Sequence, residues 1–159
     1  MNKYANHVYV IPEDRRDEEI ANGFIGHHQV KVAPIQVMPR AGGWPSVLKT
    51  FQVEYIPKLQ NNPFAHVVMV IDFDDQIDKR RAEFDQAIPD DLKARVFVIG
   101  SKDEPETLKK ALKMKYEEIG NALAADCDAN ATGYWDHEQI QHNDAVRRRL
   151  IQTIKPFLF

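Results

Sequence analysis

Cysteine, net positive charge and long hydrophobic runs are the main features that this sequence lacks. Cys127 is the only cysteine among 159 residues, so no disulfide forms within the chain and a reducing compartment is its natural setting. The formal net charge of −3 gives no overall basic surface for nucleic acid, although a local basic patch is compatible with it. No apolar run has the length of a membrane span, and no basic-then-apolar signal opens the sequence. We therefore expect a cytoplasmic protein that does not associate with membranes.

The most informative stretch is an apolar run that leads directly into a group of acids. Residues 67–71 are all apolar and four of them are β-branched, and Asp72, Asp74 and Asp75 follow within four positions. Such a run predicts a strand that is buried on both faces, as in a parallel sheet. Because an unpaired buried charge is very costly, the acids must lie where this strand emerges from the core. That edge is where open α/β sheets bind their ligands.

Strand and helix patterns alternate along the rest of the chain, which is typical of a mostly parallel sheet covered by helices. The predicted strands cover residues 7–12, 30–38, 66–72 and 95–99, and the predicted helices cover 17–25, 46–59, 76–87, 104–115, 116–126 and 144–154. We predict a three-layer α/β fold with about four strands and helices on both faces. It would form a single domain over 1–159, with a core at about 7–110 and a C-terminal helical extension at about 111–159. Residues 156–159 are apolar and would either enter the core or dock on a partner.

Acids that follow different strands would meet at one edge of such a sheet. Glu13 follows the first predicted strand, and Asp72 and Asp74 follow the third. The two-residue period of extended chain sends Asp72 and Asp74 to the same side. Carboxylates that converge in this way repel one another unless a cation lies between them, and Mg²⁺ or Mn²⁺ is the ion that carboxylates and water suit. We therefore predict a metal site at Glu13, Asp72 and Asp74.

These acids also carry a family resemblance. The stretch Pro-Glu-Asp-Arg-Arg-Asp-Glu-Glu-Ile at residues 12–20 resembles the first motif of TOPRIM domains, and Asp72-Phe73-Asp74 resembles the second. The resemblance covers roughly residues 7–110. Two positions depart from the family pattern, because Asp14 stands in place of a glycine and Gln76 in place of an acid. These departures concern the number of metal ions and leave Glu13, Asp72 and Asp74 in place.

The resemblance implies Mg²⁺-dependent cleavage of a phosphodiester in nucleic acid, since carboxylate-held cations activate water and stabilise the departing oxygen. Small stand-alone and defence-associated members often carry further functional residues at positions that correspond here to Gly42-Gly43 and residues 102–104. Lys102 is the candidate that offsets charge on the phosphate or the leaving group, and the possible accessory acids are Asp17, Asp75 and Glu104. The resemblance further implies an ATPase partner, and self-association remains open. The basic run Arg147, Arg148 and Arg149 is the candidate nucleic-acid contact.

Two other functions fit parts of the same pattern. Val70-Ile71-Asp72-Phe73-Asp74 resembles the nucleophile strand of haloacid-dehalogenase phosphatases, in which the first Asp attacks phosphate and the second acts as acid and base. That strand normally comes first in its core, whereas here it is the third predicted strand. A binding or regulatory module of a larger complex, without catalysis, is the other alternative.

Overall fold

Four short strands form one parallel sheet in the computed structural model, which describes all residues 1–159. The strands are β1 (His7–Pro12), β2 (Ile35–Val37), β3 (Ala65–Val70) and β4 (Val96–Ile99). Their order in the sheet is β2-β1-β3-β4, and every neighbouring pair is parallel. The central pair, β1 and β3, is in register from His7 opposite Ala65 to Pro12 opposite Val70.

Eight α-helices connect and cover the strands. They are α1 (Arg15–Ile25), α2 (Trp44–Thr50), α3 (Ile56–Asn61), α4 (Ile77–Ala87), α5 (Pro105–Leu112), α6 (Tyr116–Ala129), α7 (Asp144–Thr153) and α8 (Lys155–Leu158). A π-helical stretch, Phe51–Tyr55, joins α2 to α3, and short 3-10 segments occur at Asp90–Arg95, Gly133–Asp136 and Gln141–Asn143. None of these helices combines the length and the apolar character needed to cross a bilayer.

Both faces of the sheet are covered by hydrophobic side chains, which confirms the predicted three-layer α/β fold. On one face Val67 and Met69 of β3 pack with residues of α2, α3 and α4, including the fully buried Phe84. On the other face Val68 and Val70 pack with residues of α1, α6, α7 and α8. All six residues of β3 are buried, as expected of a central parallel strand. The apolar residues 156–159 join this second layer, where Leu158 is buried.

The structure corrects several of the predicted element boundaries, among them those of the second strand and the second helix. The predicted strand at 30–38 is only three residues long, because β2 lies at the edge and Pro34 has no N–H to donate to β1. The predicted helix at 46–59 extends over 44–61 and includes the π-helical stretch. There Ile56 N–H donates to Phe51 O, five residues back, just before Pro57, which lacks an N–H.

The chain leaves the middle of the sheet in opposite directions. From β1 the chain passes through α1 to the edge strand β2, whereas from β3 it passes through α4 to the other edge strand, β4. The carboxyl ends of β1 and β3 therefore border the crevice at which an open parallel sheet changes direction, the usual ligand-binding position in such folds.

Candidate metal site

Three carboxylates meet in the crevice between the ends of β1 and β3. Glu13 directly follows β1, Asp72 lies two residues beyond β3, and Asp17 lies in the first turn of α1. One oxygen from each side chain lies within 4.8 Å of the other two. Glu13, Asp17 and Asp72 are 8%, 1% and 5% exposed, respectively, so all three are buried. We call this set the acidic cluster.

Backbone hydrogen bonds hold Glu13 and Asp72 against each other. Glu13 N–H donates to Val70 O at 2.9 Å, which continues the pairing of β1 with β3 by one residue. Asp72 N–H donates in turn to Glu13 Oε2 at 2.7 Å. The Glu13 side chain therefore bridges the two central strands, and its position is fixed by the sheet itself.

Asp17 enters the crevice because Asp14 starts α1. The Asp14 side chain accepts hydrogen bonds from the backbone N–H groups of Arg16, at 2.9 Å, and Asp17, at 3.2 Å. This N-cap sets the first turn of the helix, where acids also interact favourably with the helix dipole. Asp17, four residues after Glu13, is thereby directed at the ends of the strands.

The glycine pair in the loop before α2 supports Glu13 from the other side. Gly42 N–H donates to Glu13 O at 2.8 Å, and Gly43 N–H approaches the same oxygen at 3.3 Å. Both glycines have positive φ, +90° and +110°, a conformation that other residues rarely adopt. Gly42 and Gly43 thus bind the backbone of a cluster residue, which gives this loop a role in positioning the acidic cluster.

The acidic cluster lacks a neutralising partner inside the crevice. Burial, followed by the charges of Glu13 and Asp14, raises the pKa of Asp72 to about 7. Burial and the charge of Asp72 raise the pKa of Asp17 well above its ordinary value. Burial also raises the pKa of Glu13, against the opposing effect of the hydrogen bond from Asp72 N–H. Asp17 Oδ2 and Asp72 Oδ1 are buried without a backbone or cationic hydrogen-bond donor, and the two side chains hydrogen-bond to each other only when one of them is protonated. Such groups are rare in proteins and call for an explanation.

Arg16 is the nearby cation, but its guanidinium is committed to other acids. It pairs with Asp14 at 2.7 Å and also with Glu106 of α5. The hydrogen bond to Asp14 is the main cause of the raised pKa of Arg16, and the more distant charge of Asp72 contributes less. The pairing of Arg16 with Asp14 and Glu106 therefore lies beside the acidic cluster and leaves the buried oxygens unpaired.

Asp74 and Asp75 do not follow the alternation expected of extended chain. β3 ends at Val70, and both aspartates have positive φ, 49° and 57°, so the chain turns sharply here. Their N–H groups donate to Asp103 O at 3.2 Å and to Lys102 O at 2.9 Å, and both residues are exposed. Asp74 is therefore outside the acidic cluster, although its charge still raises the pKa of Glu13 and Asp72.

The remaining predicted site residues lie around the crevice or away from it. Lys102 and Glu104 are exposed in the loop between β4 and α5. In the basic run, Arg147 pairs with Asp144, and Arg149 donates to the carbonyl oxygens of Lys93 and Val96. Arg148 is the member with a largely exposed side chain, and it too pairs with Asp144. Two of the three arginines thus have roles within the fold.

Among the predicted acids, Glu13 and Asp72 are brought together, and Asp17 has a more central place than an accessory one. The spacing was the available signal, because a residue four positions after Glu13 returns to the same side once α1 begins.

Comparison of the chain with protein-family models, with curated proteins and with solved structures gives no match. The chemistry of this site is therefore inferred from its own residues. Three buried carboxylates with free oxygens suit a hard divalent cation.

Proposed function

We propose that this protein is a Mg²⁺- or Mn²⁺-dependent phosphodiesterase that cleaves nucleic acid, with Glu13, Asp17 and Asp72 as the metal ligands. The observation that carries the proposal is the acidic cluster with its unpartnered oxygens on Asp17 and Asp72. The cluster lies at the crevice where parallel sheets bind ligands.

The residues of the cluster fit a divalent cation in three respects. The donors are all carboxylate oxygens, which Mg²⁺ and Mn²⁺ prefer. Burial raises the pKa of all three acids; the charge of Glu13 raises that of Asp72 further, and the charge of Asp72 raises that of Asp17. A cation between them would offset this repulsion. The nearest arginine is already paired elsewhere.

The surroundings of the crevice supply charges suited to a polyanion. Arg15, the first residue of α1, is exposed and pairs with Glu19 at 3.6 Å. Arg40 is exposed beside this helix, where its N–H donates to Glu18 Oε2, and Lys102 is exposed on the other side near Asp75. These cations would bind substrate phosphates and orient the backbone of a nucleic acid over the acidic cluster. A cation held in the cluster would supply positive charge against the scissile phosphate and lower the pKa of an attacking water. Glu13, fixed by Asp72 N–H, would keep that arrangement rigid.

Metal binding and cleavage are tested with the same set of variants. Glu13→Gln, Asp17→Asn and Asp72→Asn each remove one proposed ligand with little change in shape. Asp91→Asn is the matched control, because Asp91 is exposed in the segment before β4, at the opposite edge of the sheet. Calorimetric titration with Mn²⁺ should show at least a tenfold loss of affinity in the three cluster variants and no change in Asp91→Asn.

Cleavage is assayed on plasmid, single-stranded DNA and RNA with Mg²⁺ or Mn²⁺. We expect the wild type and Asp91→Asn to cut at least one substrate, and the three cluster variants to cut none. Metal binding without cleavage of any substrate would favour the binding-module alternative or a requirement for a partner such as an ATPase. Unchanged metal affinity in all three cluster variants would refute the site itself.

Asp74 separates the nuclease from the phosphatase hypothesis. A haloacid-dehalogenase mechanism needs Asp74 as acid and base beside Asp72, yet Asp74 is exposed and outside the cluster. We expect Asp74→Asn to retain Mn²⁺ affinity and cleavage within a few-fold. Turnover of p-nitrophenyl phosphate alone, abolished by Asp74→Asn, would favour the phosphatase instead.

A further inference from the structure

An apolar cavity, partly open to the surface, lies on the opposite side of β1 and β3 from α2 and α3. Its volume is about 110 Å³, and it is bordered by α1, α6, α7 and α8. Val8, Val10, Val68 and Val70 of the two central strands form its floor, and all four are buried. This apolar cavity is separate from the acidic cluster, none of whose three residues lines it.

The lining offers nothing to a polar ligand. All but one of its nineteen residues are hydrophobic, and the exception is Lys155. The Lys155 ammonium donates to Asn130 Oδ1 at 2.6 Å and to Asp128 O at 3.2 Å, so its charge is already satisfied outside the cavity. A water molecule inside would have no hydrogen-bond partners, and a buried charge would have no counter-ion.

The size of the cavity sets the size of its ligand. Empty apolar cavities of about 150 Å³ stay dry and bind benzene. The volume of about 110 Å³ is of the same order, and core packing elsewhere rarely leaves room for more than a water molecule. Partly exposed residues, among them Ile25, Ile35 and Phe159, belong to the lining, so the cavity extends towards the surface. A small ligand therefore has a short route inward.

We propose that this cavity is a binding site for a small uncharged apolar molecule of about six carbon atoms, either free or as the end of an aliphatic chain. Binding would depend on contact with apolar side chains alone, since no polar group of the lining is available. The proposal does not rest on the metal site and can be tested with EDTA present.

Benzene is the probe, and Ala21 is the position to fill. Ala21 is a buried lining residue of α1, and Ala21→Leu adds three carbon atoms towards the cavity. Ala111→Leu is the matched control, because Ala111 is an exposed residue of α5. We expect benzene to raise the melting temperature of the wild type and of Ala111→Leu, and to shift the methyl NMR signals of Val68 and Val70. In Ala21→Leu the apparent affinity for benzene should fall at least tenfold.

Should Ala21→Leu fail to fold, Val70→Ile adds a single methyl group at the floor and should weaken benzene binding several-fold.

Two further ligands, hexanol and hexanoate, identify the source of the apolar group. Hexanol should bind if the site accepts the end of an aliphatic chain, whereas hexanoate at neutral pH should not, because its charge finds no partner. No response of the wild type to benzene, or an equal response in Ala21→Leu, would overturn the proposal. Hexanoate binding as tightly as benzene would overturn the assignment to uncharged ligands.

Discussion

Replacing Asp72 with asparagine should stabilise the metal-free protein at alkaline pH. The pKa of Asp72 is raised from its ordinary value of 3.8 to about 7, so the folded protein holds a proton there more tightly than the unfolded chain does. Asp72 therefore contributes a loss of stability as pH rises from about 4 to about 7. The asparagine side chain would carry no charge, and the backbone N–H at this position would still donate to Glu13 as that of Asp72 does.

The magnitude follows from the pKa. A tenfold change in proton affinity is worth about 1.4 kcal/mol, so a pKa of about 7 in place of 3.8 costs the wild type about 4 kcal/mol at pH 8. Urea unfolding followed by circular dichroism in EDTA measures this directly. At pH 8 we expect Asp72→Asn to exceed the wild type by up to about 4 kcal/mol, with the difference vanishing near pH 4. Because Asp17 carries part of the same repulsion, Asp17→Asn should show the same sign.

Divalent metal should reverse the order of the two proteins. Saturating Mn²⁺ at pH 8 would stabilise the wild type, since it binds the folded state alone, and would leave Asp72→Asn nearly unchanged. Asp91→Asn serves as the control and should follow the wild type throughout. A stability difference between Asp72→Asn and the wild type that does not grow from pH 5 to pH 8 in EDTA would refute the idea that the charge of Asp72 is unpaired in the metal-free protein.

Three further predictions concern the rest of the fold. Arg149→Ala should lower the free energy of unfolding by about 1–3 kcal/mol, because Arg149 donates to Lys93 O and Val96 O and lies over the ring of Phe97. Arg148→Ala is the control and should change the free energy of unfolding by less than about 0.5 kcal/mol. Equal effects in urea unfolding would contradict this. Gly120→Ala should lower the free energy of unfolding by at least about 1–3 kcal/mol, because a Cβ there would overlap Ile20 O of α1. Gly26→Ala is the control and should leave the stability nearly unchanged, and thermal melts of the two variants compare them. Burial lowers the pKa of His142 to about 4, so His142 contributes a loss of stability as pH falls from about 6.5 to 4. The wild type should therefore lose more stability than His142→Gln over that range in urea titrations, and parallel profiles would argue against it.

The fold could be predicted from the sequence because its two central strands are more apolar than the segments around them. The run from Val67 to Ile71 is too apolar for any position but the middle of a sheet, and β3 is buried throughout. A helical pattern between each pair of successive strands then predicts that the strands run parallel. From this alone, the meeting of Glu13 and Asp72 could be predicted, since both follow strands whose carboxyl ends share one edge.

The composition of the acidic cluster was harder to predict. Asp74 was expected beside Asp72 because alternation was extended beyond the real end of the strand, and the left-handed turn at Asp74 and Asp75 has no glycine to signal it. The sequence underrates Asp17 because its helix is predicted to begin at residue 17, whereas the Asp14 N-cap begins α1 at Arg15 and places Asp17 inside the first turn.

The acidic cluster differs from the neighbouring acid that stabilises the fold. Acids that stabilise a fold are paired with cations or accept several hydrogen bonds, as the partly buried Asp14 does here with Arg16 and two backbone N–H groups. In the next turn of chain, Asp17 Oδ2 has no backbone or cationic donor, and neither has Asp72 Oδ1. The same short segment thus contains one acid placed for stability and another placed against it. Because the pKa values of Asp17 and Asp72 are raised, protons compete for these oxygens near neutral pH, and the proposed cation in the crevice between β1 and β3 would displace them.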